Sequence, residues 1–458
     1  MQASFAQRLR CGFVSPLPPV RSGVATAAAH LLPPLGERMD VELFLDQERV
    51  EGPSLDRFPR RHLLDVPARA AELDLLLYQM GNSSVHAGVY EQLIHFPGVV
   101  ELHDAVLHHF YLEYYFACGR PREYARKLRR MHGAKGRALA RAVSADFGGS
   151  LGYLDLPMRG EVLEHSVGVV VHSEWARRAV RADRIDLPIL RIGLPCAVPA
   201  VEPSRGVAFR RRHGIPADAF VIGALGFATP LKRVDRMLEA LSALRGELDR
   251  VHLLVVGEVN PVVRLAERAQ TLGLEDRVTL TGWASEEDYW SALAASDAVL
   301  SLRFPTAGES SLPLLQAMAL GKPVLVSALR QFLELPDRAC RKIPLGRAEV
   351  PALVEALREL VLDPSAGAEI GAAARAHAAV EASPERAAHA VSTFARVLAP
   401  LARRRMKHAV ARLATARWRA ARVVAARAFR GAERSVSVEQ RLSLSGAGWV
   451  SGDPPISE

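Results

Sequence analysis

The 458-residue chain is poor in the features that staple small proteins or anchor membrane ones. Its four cysteines, Cys11, Cys118, Cys196 and Cys340, are scattered with no C-x-x-C pair, which argues against both a disulfide framework and a cysteine zinc site. No apolar run approaches the ~20 residues needed to cross a bilayer. The start, M-Q-A-S-F-A-Q-R-L-R, lacks the apolar core of a signal peptide. G-x-x-x-x-G-K-[ST], G-x-G-x-x-G and G-x-S-x-G are all missing, so P-loop, dinucleotide and nucleophile-elbow readings are unsupported. Neither H-E-x-x-H nor D-x-D occurs, which removes a zinc helix and weakens any scheme in which carboxylates hold a metal on a diphosphate. The expectation is a soluble, cytoplasmic protein with no metal ligand set.

Charge is unevenly placed. The net charge is +9, but residues 401–434 alone carry +10, leaving the rest at −1. A nucleic-acid-binding body therefore finds no support from charge, and the basicity belongs to the C-terminal segment. On a helical wheel Arg405, Arg412, Arg419, Arg422, Arg427, Arg430 and Arg434 fall on one side, with Met406, Val410, Leu413 and Val424 on another. Such a helix reads as peripheral attachment to an anionic membrane surface. A solvated Arg-rich extension is the competing reading, and a nucleic-acid tail comes third.

Apolar strand-like runs alternate with helical patterns, the signature of parallel α/β sheets. Gly12–Val14, Val41–Leu45, Leu75–Tyr78, Val99–Leu102 and Val167–Val171 read as one sheet, with a mostly helical stretch from Ala105 to Phe147. Val221–Gly226, Val251–Val256, Val278–Thr281 and Ala298–Leu302 read as a second. The expected division is an N-terminal Rossmann-like domain at 1–198, a second at 199–384, a closing helix at 385–400 and a tail at 401–458. The last ~15 residues read as disordered. Ligands of such folds sit at strand C-terminal ends.

Several loops at those ends carry candidate chemistry. S-P-L-P-P-V-R-S-G-V-A places Gly23 at a helix start, where amides could approach a phosphate or where the chain simply turns. E-L-H-D places His103 and Asp104 after a strand, and an imidazole there can hydrogen-bond a sugar hydroxyl. G-F-A-T-P-L-K-R sets Lys232 and Arg233 at a helix start, where cations oppose the dipole unless an anion arrives. S-L-R-F-P-T-A-G-E-S-S-L-P-L-L-Q parks Glu309 before a helix whose first residues, Ser310, Ser311 and Leu312, form an anion site or an ordinary cap.

Together these motifs resemble the retaining nucleotide-sugar glycosyltransferases of family 4, with two Rossmann-like domains facing a cleft in the GT-B architecture. The resemblance spans roughly residues 10–395, and V-T-L-T-G-W at Val278–Trp283 adds to it. It implies a nucleotide diphosphate sugar as donor, a glycan or lipid-linked saccharide as acceptor, and no required metal. Lys232 and Arg233 would hold the diphosphate, with Gly23 at the phosphate. Ser310, Ser311, Leu312 and Gln316 would complete the donor site. His103 and Glu309 would act at the transferred sugar, and Asp104 on the acceptor side.

The chain departs from the pattern at three places. The family's paired glutamates lie eight positions apart. Here Gln316 stands at the second and Gly308 at the first, with Glu309 shifted by one. Phe227 stands where an Arg commonly partners the Lys five residues later. These departures keep open a rival reading, a non-catalytic partner subunit that binds sugar nucleotide without turnover. A sugar phosphorylase or epimerase of the same fold is a further alternative.

Overall fold

Central runs rich in Val, Leu and Ile, buried along most of their length, form two all-parallel sheets with shorter, more exposed strands at their edges. The computed structural model describes residues 8–144 and 151–413. The expected tail beyond residue 413, with most of its basic face, lies outside the described residues. The chain divides into two units, one taking in residues up to 195 with 307–310 and the helix from Pro384, the other 196–306 and 311–383.

The first unit holds β1 (Arg10–Val14), β2 (Asp40–Leu45), β3 (Arg60–His62), β4 (Leu75–Met80), β5 (Gly98–Leu102), β6 (Ser166–Val171) and β7 (Ile189–Arg191). Their order is β3-β2-β1-β4-β5-β6-β7. β4 and β6 are buried at every residue, as expected of parallel strands covered on both faces. The direction of winding reverses between β1 and β4, which opens the ligand crevice of a doubly wound sheet at their C-terminal ends. The stretch after Asp104 forms helices His108–Ala117 and Pro121–Ser144, the second broken at Gly133 (φ 55°, ψ −124°).

The second unit holds β8 (Phe220–Leu225), β9 (Val251–Val256), β10 (Val278–Leu280), β11 (Ala298–Ser301), β12 (Val324–Ser327) and β13 (Arg341–Ile343). They are ordered β10-β9-β8-β11-β12-β13. Its reversal falls between β8 and β11. The short edge strands β3, β7 and β13 escaped the sequence reading. At three residues each they are too brief to show a hydrophobic period.

The closing helix also differs from expectation. It runs unbroken from Pro384 to Leu413, not to residue 400. Ala388, Val391, Ala395, Leu398 and Ala402 recur at helical spacing and are buried against the first sheet. Past residue 400 the same face continues: Met406 and Ala409 are buried and Val410 packs beside them. Arg403 Nε donates to Asp74 Oδ1 at 2.9 Å, and Arg405 donates to the Ser166 carbonyl at 3.0 Å. The apolar side read as membrane-facing is therefore core-facing at Met406 and Val410. No helix among the described residues is long and apolar enough to cross a membrane.

Candidate functional site

In the second unit the loops leaving β8 and β11 meet at the reversal point. One small pocket is lined by Gly226, Lys232, Arg303, Ser311 and Pro313, among others. Gly226 has φ +89°, a backbone that favours glycine, and a Cβ there would stand 2.7 Å from Lys232 Nζ. Lys232 Nζ donates to the Leu225 carbonyl at 2.9 Å, which aims the ammonium into this pocket.

The helix Leu312–Ala319 begins on the opposite wall. Ser311 is its N-cap residue (φ −106°, ψ 110°), yet its side chain makes no capping bond, and Pro313 lies in the first turn. The start of the helix is therefore not closed off by its own cap, which suits an anion ligand. Gln316, on the same helix, is buried, and its Oε1 accepts from the Tyr289 hydroxyl at 2.5 Å.

Arg233 is placed differently from Lys232. It adopts a left-handed backbone (φ 49°) and forms a two-pronged pair with Glu349, Nε to Oε1 at 2.6 Å and the terminal nitrogen to Oε2. Glu349 is fully buried. The guanidinium expected to share the diphosphate is thus bound within the unit.

Arg303 was overlooked in the sequence. It follows β11, lines the pocket with Lys232, donates its backbone N–H to Ser327 Oγ at 2.9 Å, and lies 5.2 Å from the Phe332 ring centre. A cation two residues past a strand's C-terminal end was the available signal. Phe227 is 42% exposed, an apolar ring at the position where the related pattern places a cation.

In the first unit the ends of β1, β4, β5 and β6 carry the remaining candidates. Gly23 opens the helix Gly23–Gly36, capped by Ser22 Oγ, which accepts from Val24 N at 3.2 Å. Nothing lies within 4 Å of a Cβ built on Gly23, so the space over this helix start is open. Asp104 Oδ2 accepts from Asn82 N at 2.7 Å and lies beside Gly81. Ser173 caps the helix Glu174–Asp183 through Ala176 N at 3.1 Å.

His103 is buried beside a polar cluster. Its Nε2 is 2.7 Å from Gln79 Oε1, while Gln79 Nε2 donates to Glu101 Oε2 at 2.8 Å. His172 Nε2 lies 3.4 Å from Glu101 Oε1. Burial pushes Glu101 up to about 7, with the Gln79 bond opposing. Burial, His172 and His86 hold His103 well below the usual imidazole range. Glu101, His103 and His172 each offer a ligand atom, all within 4.8 Å of one another. Within this group Gln79 already bonds both His103 Nε2 and Glu101 Oε2.

Residues 307–310, with Glu309, also fold with the first unit. Val106 N donates to the Ala307 carbonyl at 2.9 Å. Gly308 has φ +78° and packs under Trp175, and Glu309 next to it is half-buried.

Two parallel-sheet, Rossmann-like units of this kind are the fold of GT-B glycosyltransferases. The structure of HepE (Alr3699) from Anabaena, in complex with UDP and glucose, superposes with a TM-score of 0.60 over 84% of this chain and 99% of that one, at 18% identity. WaaG, a glycosyltransferase involved in lipopolysaccharide biosynthesis, does so with a TM-score of 0.57 over 82% and 98%, at 17% identity.

Residues 208–377 match the family described as Glycosyl transferases group 1. A 127-residue stretch is 34% identical to mannosylfructose-phosphate synthase of Agrobacterium fabrum, covering 26% of this chain and 27% of that protein. A 188-residue stretch is 31% identical to D-inositol 3-phosphate glycosyltransferase of Stackebrandtia nassauensis, covering 39% and 42%. The chain thus spans less than half the length of these curated relatives. The superpositions show the GT-B fold, and the group 1 family match falls on the second unit.

Proposed function

We propose that this protein transfers a sugar from a nucleotide diphosphate sugar to a glycan or lipid-linked saccharide, with retention at the anomeric carbon. The observation that carries the reading is the pocket of the second unit. Lys232 and Arg303 both line it together with Ser311, at a helix start without a side-chain cap, inside the stretch that matches the group 1 family. The likeness to HepE, solved with UDP and glucose, and to a protein named D-inositol 3-phosphate glycosyltransferase is in keeping with this reading.

In this scheme the diphosphate lies against Lys232 and Arg303, with the amides of Ser310, Ser311 and Leu312 at its oxygens. As the glycosidic bond breaks, negative charge grows on the departing phosphate, where fixed cations and amides stabilise the transition state more than the ground state. That arrangement needs no carboxylate-held metal. Gln316 meets the ribose as a neutral amide. Arg233 holds the loop by its pair with Glu349. His103 meets a hydroxyl of the transferred sugar, Glu309 stands at the sugar, Gly23 at the phosphate and Asp104 on the acceptor side. The departing phosphate takes the acceptor's proton, so attack and departure share one face of an oxocarbenium-like centre. Residues 401–434 are proposed to touch an anionic membrane at the cytoplasmic face. Since Met406 and Val410 face the core, that contact falls to the part after residue 413.

Calorimetric titration with a panel of nucleotide sugars, paired with a donor-hydrolysis assay in the presence of chelator, tests the reading. Binding with turnover is expected. Binding with no turnover under any acceptor would favour the non-catalytic partner subunit, which Gln316 and Phe227 keep in play. Phosphate-dependent release of sugar phosphate would mark a phosphorylase instead.

A further inference from the structure

Side by side on adjacent strands of the first sheet, Gln79 and Glu101 are register partners of β4 and β5. Gln79 is fully buried and Glu101 is 1% exposed, so neither side chain is a solvent group that happens to touch a neighbour. The amide of Gln79 is engaged at both ends, Nε2 to Glu101 Oε2 at 2.8 Å and Oε1 to His103 Nε2 at 2.7 Å. A carboxyl oxygen accepts from an amide N–H, and this holds whether or not the other oxygen carries a proton. Glu101 therefore sets which way the amide points. The amide oxygen can then only accept, so the hydrogen of the second bond belongs to His103 Nε2. The backbone carbonyl of Gln79 is also occupied, 3.1 Å from His86 Nδ1.

What remains on the His103 ring is Nδ1, which makes no hydrogen bond among the described residues. With His86 and His172 close by and the ring buried, the imidazole stays neutral, and Nδ1 offers a lone pair. Such a ring cannot pair with a phosphate as a cation, nor donate to a carbonyl. It accepts, and the sugar group that donates is a hydroxyl.

We propose that Gln79, oriented by Glu101, is a positioning residue that locks His103 as its Nε2–H tautomer, so that Nδ1 selects a hydroxyl of the donor sugar. The proposal rests on the reading that His103 faces that sugar. It names two residues, Gln79 and Glu101, that no motif marks, and assigns a hydrogen-bond polarity to the sugar contact.

The test uses the full chain with 15N-labelled histidine, whose long-range 1H–15N correlations separate the two neutral tautomers from the cation. His103 is identified by the signal lost in His103→Gln. The expected result is Nε2–H in the native protein, loss of that preference in Gln79→Leu, and its return in the exchanged pair Gln79→Glu with Glu101→Gln. The exchanged pair keeps one carboxylate and one amide, so it also answers the case in which Gln79→Leu fails to fold. A wild-type ring that is Nδ1–H or protonated overturns the proposal, as does one equivalent of tightly bound transition metal whose removal changes the His103 signals.

Donor binding is read in parallel with UDP-glucose and GDP-mannose, each against its bare diphosphate. Gln79→Leu is expected to weaken the sugar nucleotide about tenfold, the scale of one hydrogen bond, and to leave UDP or GDP unchanged. If the tautomer shifts and sugar-nucleotide affinity does not, the placement of His103 at the sugar fails and the hydroxyl-selecting role fails with it, while the locking by Gln79 stands.

Discussion

Trp175 occupies the space that a side chain on residue 308 would need. A Cβ built on Gly308 falls 1.9 Å from Trp175 Cζ3, and the residue has φ +78°. The acidic position of the related pattern is thus closed at 308 by a ring from another strand–helix connection. The carboxylate sits one residue later, on Glu309. The offset that looked like a departure in the sequence has a steric cause.

Gly308→Glu, which would restore the familiar spacing, is therefore expected to destabilise the protein. Overpacking costs about 1–3 kcal/mol, and the left-handed backbone adds roughly 1–2 kcal/mol for a residue with a Cβ. Urea unfolding monitored by tryptophan fluorescence reads the loss. An unchanged midpoint would show that the Trp175 ring moves aside freely.

Lys232→Ala should lower donor kcat/KM on the order of a hundredfold or more, the usual cost of removing one group that stabilises a developing anion. Lys232→Arg should recover part of it, because the charge returns on a bulkier fork under the same tight turn at Gly226. Steady-state kinetics at saturating acceptor provide the comparison, and wild-type turnover in the alanine variant would remove the diphosphate assignment.

Arg233 and Glu349 form a buried two-pronged pair, and breaking it leaves a carboxylate with no exposure to water. Arg233→Met is expected to cost about 3–5 kcal/mol. The double change Arg233→Met with Glu349→Leu should be milder, since the buried carboxylate goes with its partner and Arg236, 3.9 Å from Glu349, keeps its pair with Glu239. A double-mutant cycle in denaturant measures the coupling; additive losses would mean the pair does not act as a unit.

His108 supplies a pH dependence. Its Nδ1 lies 2.7 Å from the Leu156 carbonyl, an acceptor, so the hydrogen is on Nδ1 and Nε2 accepts from the Tyr124 hydroxyl at 2.6 Å. Burial foremost lowers its pKa to about 4, against about 6.5 in the unfolded chain. Between those values the unfolded state binds more protons, so stability is intact at neutral pH and falls as pH drops from about 6.5 toward 4. The loss from this group is up to about 3 kcal/mol. His108→Gln should flatten the acid limb of a stability–pH curve by as much as one proton. A curve identical to wild type would show that His108 titrates normally.

Much of the architecture was legible in the chain. Long apolar runs such as Val251–Val256 and Val167–Val171 are strands because a parallel sheet buries both faces. The Pro–Gly–Ser loops after them mark helix starts. Three-residue edge strands carry too little pattern, and β3, β7 and β13 were missed for that reason. Arg405 was read with a lipid-facing basic side because a helical wheel shows which residues share a side, not what that side meets, and it donates to the Ser166 carbonyl. Arg403 meets Asp74, more than 300 positions away in sequence.

The candidate site divides along the same line. Lys232, Ser311 and His103 could be named from local chemistry, since a helix start or a strand end announces itself within a few residues. Gln79 and Glu101 could not, because each looks like an ordinary strand residue until the register of β4 and β5 sets them side by side. Arg233 and Lys232 are adjacent and alike in charge; only folding decides that one pairs with Glu349 while the other lines the pocket with Arg303. The sequence by itself determined the class of fold and the loops where ligands belong, because periodicity and turn chemistry are local. Which of the two cations lines the pocket, and where the carboxylate near residue 308 can stand, was decided by tertiary packing, because charge pairing and steric exclusion depend on residues that the chain brings together from far apart.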